Sequence, residues 1–107
     1  MSDLDFTICC TVIFFSKKRR TPLNLNNGKY CPHLVIKGSE QLLGVNFIDG
    51  EDVIFDKQIV ANALPLYENV DYSDLQAGTE FLIMEGGNII GEGIVKEIFQ
   101  HKPQGKK

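Results

Sequence analysis

The clearest pattern in the chain is an alternation of apolar and polar positions near its N-terminus. From Leu4 to Phe14 every even-numbered position is apolar, whereas the odd-numbered positions up to Thr11 are polar or cysteine. A period of two is typical of a strand with one face in a core, because successive side chains point to opposite faces. The pattern predicts a strand over this range. The charged block at 17–20 and Thr21-Pro22 should end it, since proline cannot donate to a sheet ladder.

Two shorter apolar segments follow. Residues 30–37 predict a second strand with Leu34 and Ile36 on one face, and residues 42–48 predict a third strand with alternate apolar residues on a shared face. Turn signals separate the strands, because Asn, Asp and Gly tolerate the backbone conformations of tight turns. These signals are Asn24 to Gly28, Gly38-Ser39 and Asp49-Gly50.

The segment from Val53 to Leu64 is less regular. Its β-branched residues favour one long strand or a strand with a bulge, although Ala61 and Ala63 would also tolerate a short helix. Residues 65–77 form the longest irregular region, which is acidic and contains two tyrosines. We expect this region to be a loop.

The most informative segment is GTEFLIMEGGNIIGEGIVKEIF, residues 78–99. It has the form of two strands joined at 85–88, where glycine permits the positive φ of a tight hairpin. Gly91 and Gly93 should leave room for a neighbouring backbone or a bulge. The whole chain then has about six strands and no convincing amphipathic helix. It therefore predicts an all-β fold, either a small antiparallel barrel or a sandwich, of which the closed barrel leaves no exposed strand edges.

Composition agrees with one small globular domain. The chain has 107 residues, 43% of them hydrophobic and 23% charged, which predicts a single domain over 1–101 with a polar tail at 102–107. No apolar run reaches the roughly 20 residues of a membrane span, and no small-residue cleavage site follows the first apolar run. Cys9 and Cys10 are adjacent and would point to opposite faces of a strand, so we expect reduced thiols. A cytoplasmic location without membrane attachment is expected.

The charge is unevenly distributed along the chain. The net charge of -3 argues against broad affinity for nucleic acid. A basic end and an acidic side are nevertheless predicted, because seven acids fall between Asp49 and Asp74. For the first basic block a solvated loop is favoured over a phosphate-contacting patch. The basic residues are Lys17, Lys18, Arg19 and Arg20 in one block and Lys102, Lys106 and Lys107 in another.

The sequence contains no recognisable catalytic motif. It lacks a GK[ST] loop and a dinucleotide fingerprint, so no nucleotide binding and no cofactor are expected. Cys31 and His33 would share a strand face, yet the sequence shows no third group that could orient them for nucleophilic catalysis. Cys31, His33 and His101 also lack the spacing typical of metal ligands. Glu51-Asp52 is interpreted as a solvated loop. We therefore expect neither an enzyme nor a metal site.

Binding is the remaining possibility. Tyr30, His33, Lys29 and the basic block lie on consecutive elements and would be neighbours in a hairpin. A basic and aromatic rim of this kind can hold phosphates or an acidic protein, or it can have no ligand.

A family resemblance extends this interpretation. SKKRRTPLNLNNGKYCPHLVI at residues 16–36 contains Thr21-Pro22 and Tyr30-x-Pro32, and GTEFLIMEGGNIIGEG follows at 78–93. In this order they resemble the TPF, YRPQF and F-x-I-R-E-G-G-x-x-x-G-x-G segments of the C-terminal β-barrel domain of bacterial elongation factor Tu. The resemblance covers the chain from about Asp5 to Phe99 and implies a closed six-stranded antiparallel barrel.

The resemblance also implies partners. The elongation factor domain contacts the T stem of aminoacyl-tRNA and takes part in binding the nucleotide-exchange factor. Cys31 and Met84 stand where the family has arginines, so two groups that could each supply a contact of roughly 1.5 to 3 kcal/mol to phosphate are missing. Binding of tRNA should therefore be weakened. The positions implied to face tRNA or a protein partner are Tyr30, His33, Glu85, Gly86, Gly87 and Asn88.

The sequence thus predicts a non-enzymatic binding module that docks a protein partner, or weakly RNA, by the rim carrying the basic block and the 85–88 turn. The alternative is a structural, immunity-type or regulatory protein that self-associates through a barrel face.

Overall fold

A computed structural model describes residues 6–18 and 23–101 of the chain. The described residues form six strands that close into an antiparallel barrel in the order β1-β4-β3-β2-β5-β6, with one 3-10 helix, Ser16–Lys18, after β1. The predicted all-β fold and the closed six-stranded barrel are therefore confirmed. The strands are β1 Phe6–Phe14, β2 His33–Ile36, β3 Leu43–Gly50, β4 Ile59–Pro65, β5 Glu80–Glu85 and β6 Asn88–Gln100.

The antiparallel order sorts the loops into two groups. Every strand runs opposite to both of its neighbours in the barrel. The connections between β1 and β2, between β3 and β4 and between β5 and β6 therefore lie at one end, hereafter the hairpin end. The loop 37–42, the loop 66–79 and the outer ends of β1 and β6 lie at the other, hereafter the long-loop end.

The core fills the inside of the barrel with alternate residues of each strand. The even positions of β1 from Ile8 to Phe14 are buried and the odd ones are half-buried, as the alternation predicts. Phe47 and Phe81 are fully buried beside them. Burying a side chain of this size stabilises the fold by roughly 1.5 to 3 kcal/mol. Among the described residues no charged side chain is buried, and apart from the Tyr72 hydroxyl and the Cys10 thiol the buried side chains are apolar, so apolar packing fills the barrel.

The closing hairpin has the predicted form. Glu85 pairs with Asn88 across a two-residue turn, in which positive φ is confined to Gly86 at 60°, as in a type II′ turn. In β6 a Cβ on Gly91 would lie 2.5 Å from the carbonyl oxygen of Ile13, and one on Gly93 would lie 2.6 Å from that of Thr11. These glycines let β6 approach β1 closely, which confirms the expected close backbone approach.

The second strand is shorter than expected. The carbonyls of Tyr30 and Pro32 accept hydrogen bonds from the backbone N–H groups of Phe47 and Val45, so residues 30–32 lie along β3. The regular ladder nevertheless begins only at His33, where β2 pairs with both β3 and β5. Pro32 has no N–H to donate, which explains why the strand does not extend over this segment.

Two other expectations are wrong. Asp49-Gly50 is not a turn but the end of β3, because a bulge between Phe47 and Asp49 lets Gly50 pair with Ala61. Only the second half of 53–64 is a strand, since residues 51–58 form the loop between β3 and β4. Asp56 in this loop adopts φ 64°, a conformation that a continuous strand would not contain.

Several predicted features lie outside the described residues. They are the start of the first strand before Phe6, Arg19, Arg20, Thr21-Pro22 and the tail from Lys102. For Lys18 only the backbone is described. Within the described ranges no helix is long and apolar enough to cross a bilayer.

Candidate functional site

The structure brings the described residues of the predicted rim to one end of the barrel. His33 pairs directly with Met84, which precedes the 85–88 turn. The N–H of Phe15 donates to the carbonyl of Ile90 at 2.9 Å, which places the 3-10 helix with Lys17 beside the start of β6. The hairpin end therefore holds Lys17, His33 and the turn.

Tyr30 serves largely in packing. Its ring stacks on Phe47 with centroids 5.8 Å apart and meets Phe14 edge-on at 6.1 Å. The side chain is half-buried and packs against the core cluster. Little of this ring is left to stack on an external base or aromatic group.

Charge at the hairpin end is mixed. Its exposed charged residues include the cations Lys17, Lys29 and Lys57 and the anions Glu51, Asp52 and Asp56. The Asp56 carboxylate accepts a hydrogen bond from the Ser16 backbone N–H at 3.1 Å. Hydrogen bonds from Ser16, with a smaller contribution from Lys17, lower the pKa of Asp56. An ionised carboxylate thus lies beside the described part of the basic block, which weakens its attraction for phosphate.

Cys31 and His33 are held by different neighbours. The Asn46 side-chain amide donates to Cys31 Sγ at 3.1 Å, whereas the His33 ring stacks on Tyr67 with centroids 6.5 Å apart. His101 shares a hydrogen bond of 2.6 Å with Thr7 Oγ1 at the long-loop end, far along the barrel from His33. The described residues contain no group of three or more His, Cys, Asp or Glu able to hold a metal ion.

The remaining cysteines differ in accessibility. Cys10 is buried and its thiol donates to the Ala61 carbonyl at 3.6 Å, while Cys9 lies half-buried on the opposite face. Burial, reinforced by Cys9, raises the pKa of the Cys10 thiol to about 12. A nucleophilic thiolate at this position is therefore disfavoured at neutral pH.

A large concavity lies at the other end of the barrel. An open groove of about 930 Å³ is bounded by the start of β1, the loop 66–79 and the end of β6. A volume of this size matches the sites that bind ligands in other proteins. Its apolar lining residues are Phe6, Val70, Tyr72, Leu75 and Ile98.

The charged groups of the groove all carry the same sign. Glu68, Asp71 and Glu97 line it, and none of the described lining residues is a lysine, arginine or histidine. Hydrogen bonds from Ser73 lower the pKa of Asp71, so this carboxylate stays ionised well below neutral pH. The groove therefore combines an apolar floor with a negative rim.

Tyr72 fixes the loop that forms the groove wall. Its side chain is only 5% exposed, and its hydroxyl donates to the Gly44 carbonyl at 2.5 Å. The same oxygen accepts the backbone N–H groups of Leu66 and Tyr67, each at 3.2 Å. One of these hydrogen bonds ties the middle of the loop to β3, and the other two tie the middle of the loop to its start.

Local turns order the rest of the loop. The Asp71 carboxylate accepts the Ser73 N–H at 2.9 Å, and the Thr79 hydroxyl donates to the Asp74 carbonyl at 3.1 Å. Leu75, 3% exposed, anchors the loop in the core. A groove wall that is ordered before a ligand arrives loses less entropy on binding.

Sequence reasoning did not identify this groove. It described residues 65–77 as a long acidic loop with two tyrosines but assigned it no role. Two signals were available, since a loop longer than about 12 residues in a compact domain is usually functional, and buried tyrosines usually find a partner for their hydroxyl. The contact between Thr7 and His101 was also missed, because it joins positions distant in sequence.

Comparison with models of protein families finds no match, and comparison with curated proteins finds no relative. The resemblance to the elongation factor barrel stays a prediction carried by the motifs at 16–36 and 78–93.

Proposed function

We propose that this chain is a non-enzymatic binding module that docks a protein partner in the groove at its long-loop end. The observation that carries the proposal is the groove itself: about 930 Å³, with an apolar floor and a wall ordered by Tyr72. A concave site of this volume that combines apolar lining with a few polar groups is typical of a binding site.

The charges of the groove favour protein over RNA as the partner. Glu68, Asp71 and Glu97 would repel the phosphates of a nucleic acid, which binds proteins chiefly through cationic side chains. At the hairpin end the two arginines of the basic block lie outside the described residues, and Asp52 and Asp56 offset the described lysines. RNA binding by that rim, implied by the family resemblance, is therefore the weaker proposal.

The geometry of the titratable groups supports a non-enzymatic role. Cys31 and His33 contact different neighbours, and the thiol of Cys10 is buried with a raised pKa. His101 contacts a hydroxyl group, but no described carboxylate is hydrogen-bonded to it. A nucleophile with a positioned base and a third orienting group is the arrangement that covalent catalysis requires.

A peptide selection tests this proposal. Random linear peptides displayed on phage would be selected on the wild-type protein and then tested on two tryptophan variants. Ala77→Trp places a bulky side chain on the groove lining, and Gly87→Trp places the same side chain in the hairpin turn, where a Cβ meets nothing within 4 Å. We expect selected peptides to lose binding to Ala77→Trp and to keep it on Gly87→Trp. Peptides that bind Ala77→Trp but not Gly87→Trp would place the site at the predicted rim. A selection that enriches no peptide on the wild-type protein would contradict a groove that binds peptide.

Self-association through the outer barrel face is a second candidate function. One observation favours it: Leu82 and Met84 are half-buried on the outside of β5, and Ile89, which pairs with Met84, is 40% exposed. A second copy of the chain would cover this face. Light scattering at rising concentration would then show a dimer that Ile89→Lys abolishes. Ile54→Lys, a change at an isoleucine that is 53% exposed in the loop 51–58, is the matched control.

A further inference from the structure

The geometry points to a basic segment of protein chain as the ligand of the groove, with apolar side chains on the floor and lysine or arginine side chains at the rim. This inference rests on the proposed function and specifies the chemistry of the partner.

The distribution of charge carries the first step. The groove lining contains three carboxylates and, within the described chain, no cation. Glu68 and Asp71 lie on the loop 66–79, and Glu97 lies on β6, so the negative groups come from both walls. A cationic side chain lying between the walls would be attracted from both sides, and an anionic one would be repelled.

The apolar floor carries the second step. Tyr72 and Leu75 are almost fully buried and form the base, while Val70 and Ile98 are half-buried and remain partly accessible. An apolar side chain that covers Val70 and Ile98 would remove their surface from water, which stabilises the complex by about 25 cal/mol for each Å² buried. Charge alone would attract any cation, whereas this floor favours a ligand that also carries apolar groups.

The amide side chains of the lining favour a polypeptide. Asn69, Gln76 and Gln100 line the groove beside the carboxylates. The Gln76 amide nitrogen donates to the Ser73 carbonyl at 3.0 Å, which leaves its oxygen available as an acceptor for a ligand N–H. Amides can donate to and accept from a peptide backbone, so the lining offers partners for main-chain groups as well as for side chains.

Fluorescence anisotropy with defined synthetic peptides tests the inference. The probe is a short labelled peptide of leucine, serine and lysine, compared with peptides of the same length in which glutamine or glutamate replaces every lysine. We expect the lysine peptide to bind about tenfold more tightly than the glutamine peptide, with the difference lost at high salt, and the glutamate peptide to show no binding.

Charge-neutralising variants identify the groups responsible. The double variant Glu68→Gln with Glu97→Gln should weaken binding of the lysine peptide about fivefold, if each of the three exposed pairs contributes roughly 0.5 kcal/mol. The control double variant Glu40→Gln with Asp52→Asn removes the same net charge outside the groove and should leave affinity within about twofold. Circular dichroism of every variant confirms that the barrel is folded.

Two outcomes overturn the inference at different levels. Equal binding of the lysine and glutamine peptides, abolished by Ala77→Trp, would contradict a basic ligand while the proposed function stands. Binding that ignores both Ala77→Trp and the double variant would contradict the groove as a site for protein, and with it the proposed function.

Discussion

The Tyr72 hydroxyl donates a hydrogen bond to the Gly44 carbonyl and thereby fastens the long loop 66–79 to strand β3. Tyr67 lies over the same glycine, where a Cβ would overlap its ring. Two tyrosines of the loop thus pack against Gly44, and a side chain at this position would displace the ring of Tyr67. The groove wall is consequently built by contacts between the loop and the barrel and does not depend on a ligand.

Removing the Tyr72 hydroxyl should loosen this wall. We expect Tyr72→Phe to lower the free energy of unfolding by about 1 to 2 kcal/mol, because the buried hydroxyl makes three hydrogen bonds that phenylalanine cannot replace. Amide exchange at Tyr67 should accelerate more than at Leu66, since the Tyr67 N–H loses the hydroxyl as its acceptor whereas the Leu66 N–H also donates to the Gly44 carbonyl. Urea denaturation and hydrogen exchange measure the two effects.

The control for this prediction is Tyr67→Phe. It makes the same chemical change on a tyrosine that is 46% exposed, and it should stay within about 0.5 kcal/mol of the wild type. Equal effects of the two substitutions would contradict a special role for the Tyr72 hydroxyl.

The close approach of β6 to β1 gives a second prediction. An alanine Cβ at Gly93 would lie 2.6 Å from the Thr11 carbonyl oxygen and 2.7 Å from the Phe81 ring, so Gly93→Ala should destabilise the barrel by roughly 1 to 3 kcal/mol. Gly87→Ala adds the same methyl group in open space and should be nearly neutral. Thermal unfolding of both variants measures this difference in stability. A Gly93→Ala protein as stable as Gly87→Ala would contradict the prediction and show that β1 and β6 can move apart.

Stability at alkaline pH should report the burial of Cys10. The unfolded chain releases the thiol proton near pH 9.0, whereas the raised pKa of about 12 holds it in the folded chain. The contribution of this group is therefore intact below pH 9.0 and falls as the pH rises toward 12, by about 1.4 kcal/mol per pH unit. We expect Cys10→Ala to unfold with a shallower dependence on pH than the wild type over this interval. A Cys10→Ala protein that unfolds with the same slope as the wild type would count against a desolvated Cys10.

The three thiols should also differ in their rates of alkylation. Cys31 is exposed, Cys9 is half-buried and Cys10 is buried. With iodoacetamide on the folded protein, we expect peptide mass spectrometry to find Cys31 modified first and Cys10 last, and the differences to vanish in denaturant. Modification of Cys10 at the rate of Cys31 in the folded protein would contradict the register of β1.

The sequence predicts the barrel well because its strands follow local rules. The alternation in β1 and the glycine turn of the closing hairpin each depend on a few neighbouring residues, and both are confirmed. The expectation at Asp49-Gly50 is wrong because a bulge at Phe47 keeps these residues paired with β4. A turn dipeptide and a bulged strand end look alike in a single sequence.

The candidate site was harder to predict. The groove is formed by residues of β1, β6 and the loop between β4 and β5, so no short motif encodes it. The hydrogen bond from the Tyr72 hydroxyl to the Gly44 carbonyl joins a loop to a strand. The periodicity of apolar residues does not predict such a contact. The predicted rim, by contrast, combines residues 17–33, which are close in sequence, with the turn of a plain hairpin, and the structure brings its described residues to one end.

The most direct measurement is a titration of the isotopically labelled protein with the peptide selected for tightest binding, followed by amide chemical shifts in NMR spectra. If the groove binds the partner, the largest shifts should fall on residues 68–77 and 97–100 at the long-loop end. Shifts concentrated instead on Lys17, on residues 29–33 and on the 85–88 turn would place the partner on the opposite end of the barrel and contradict this site.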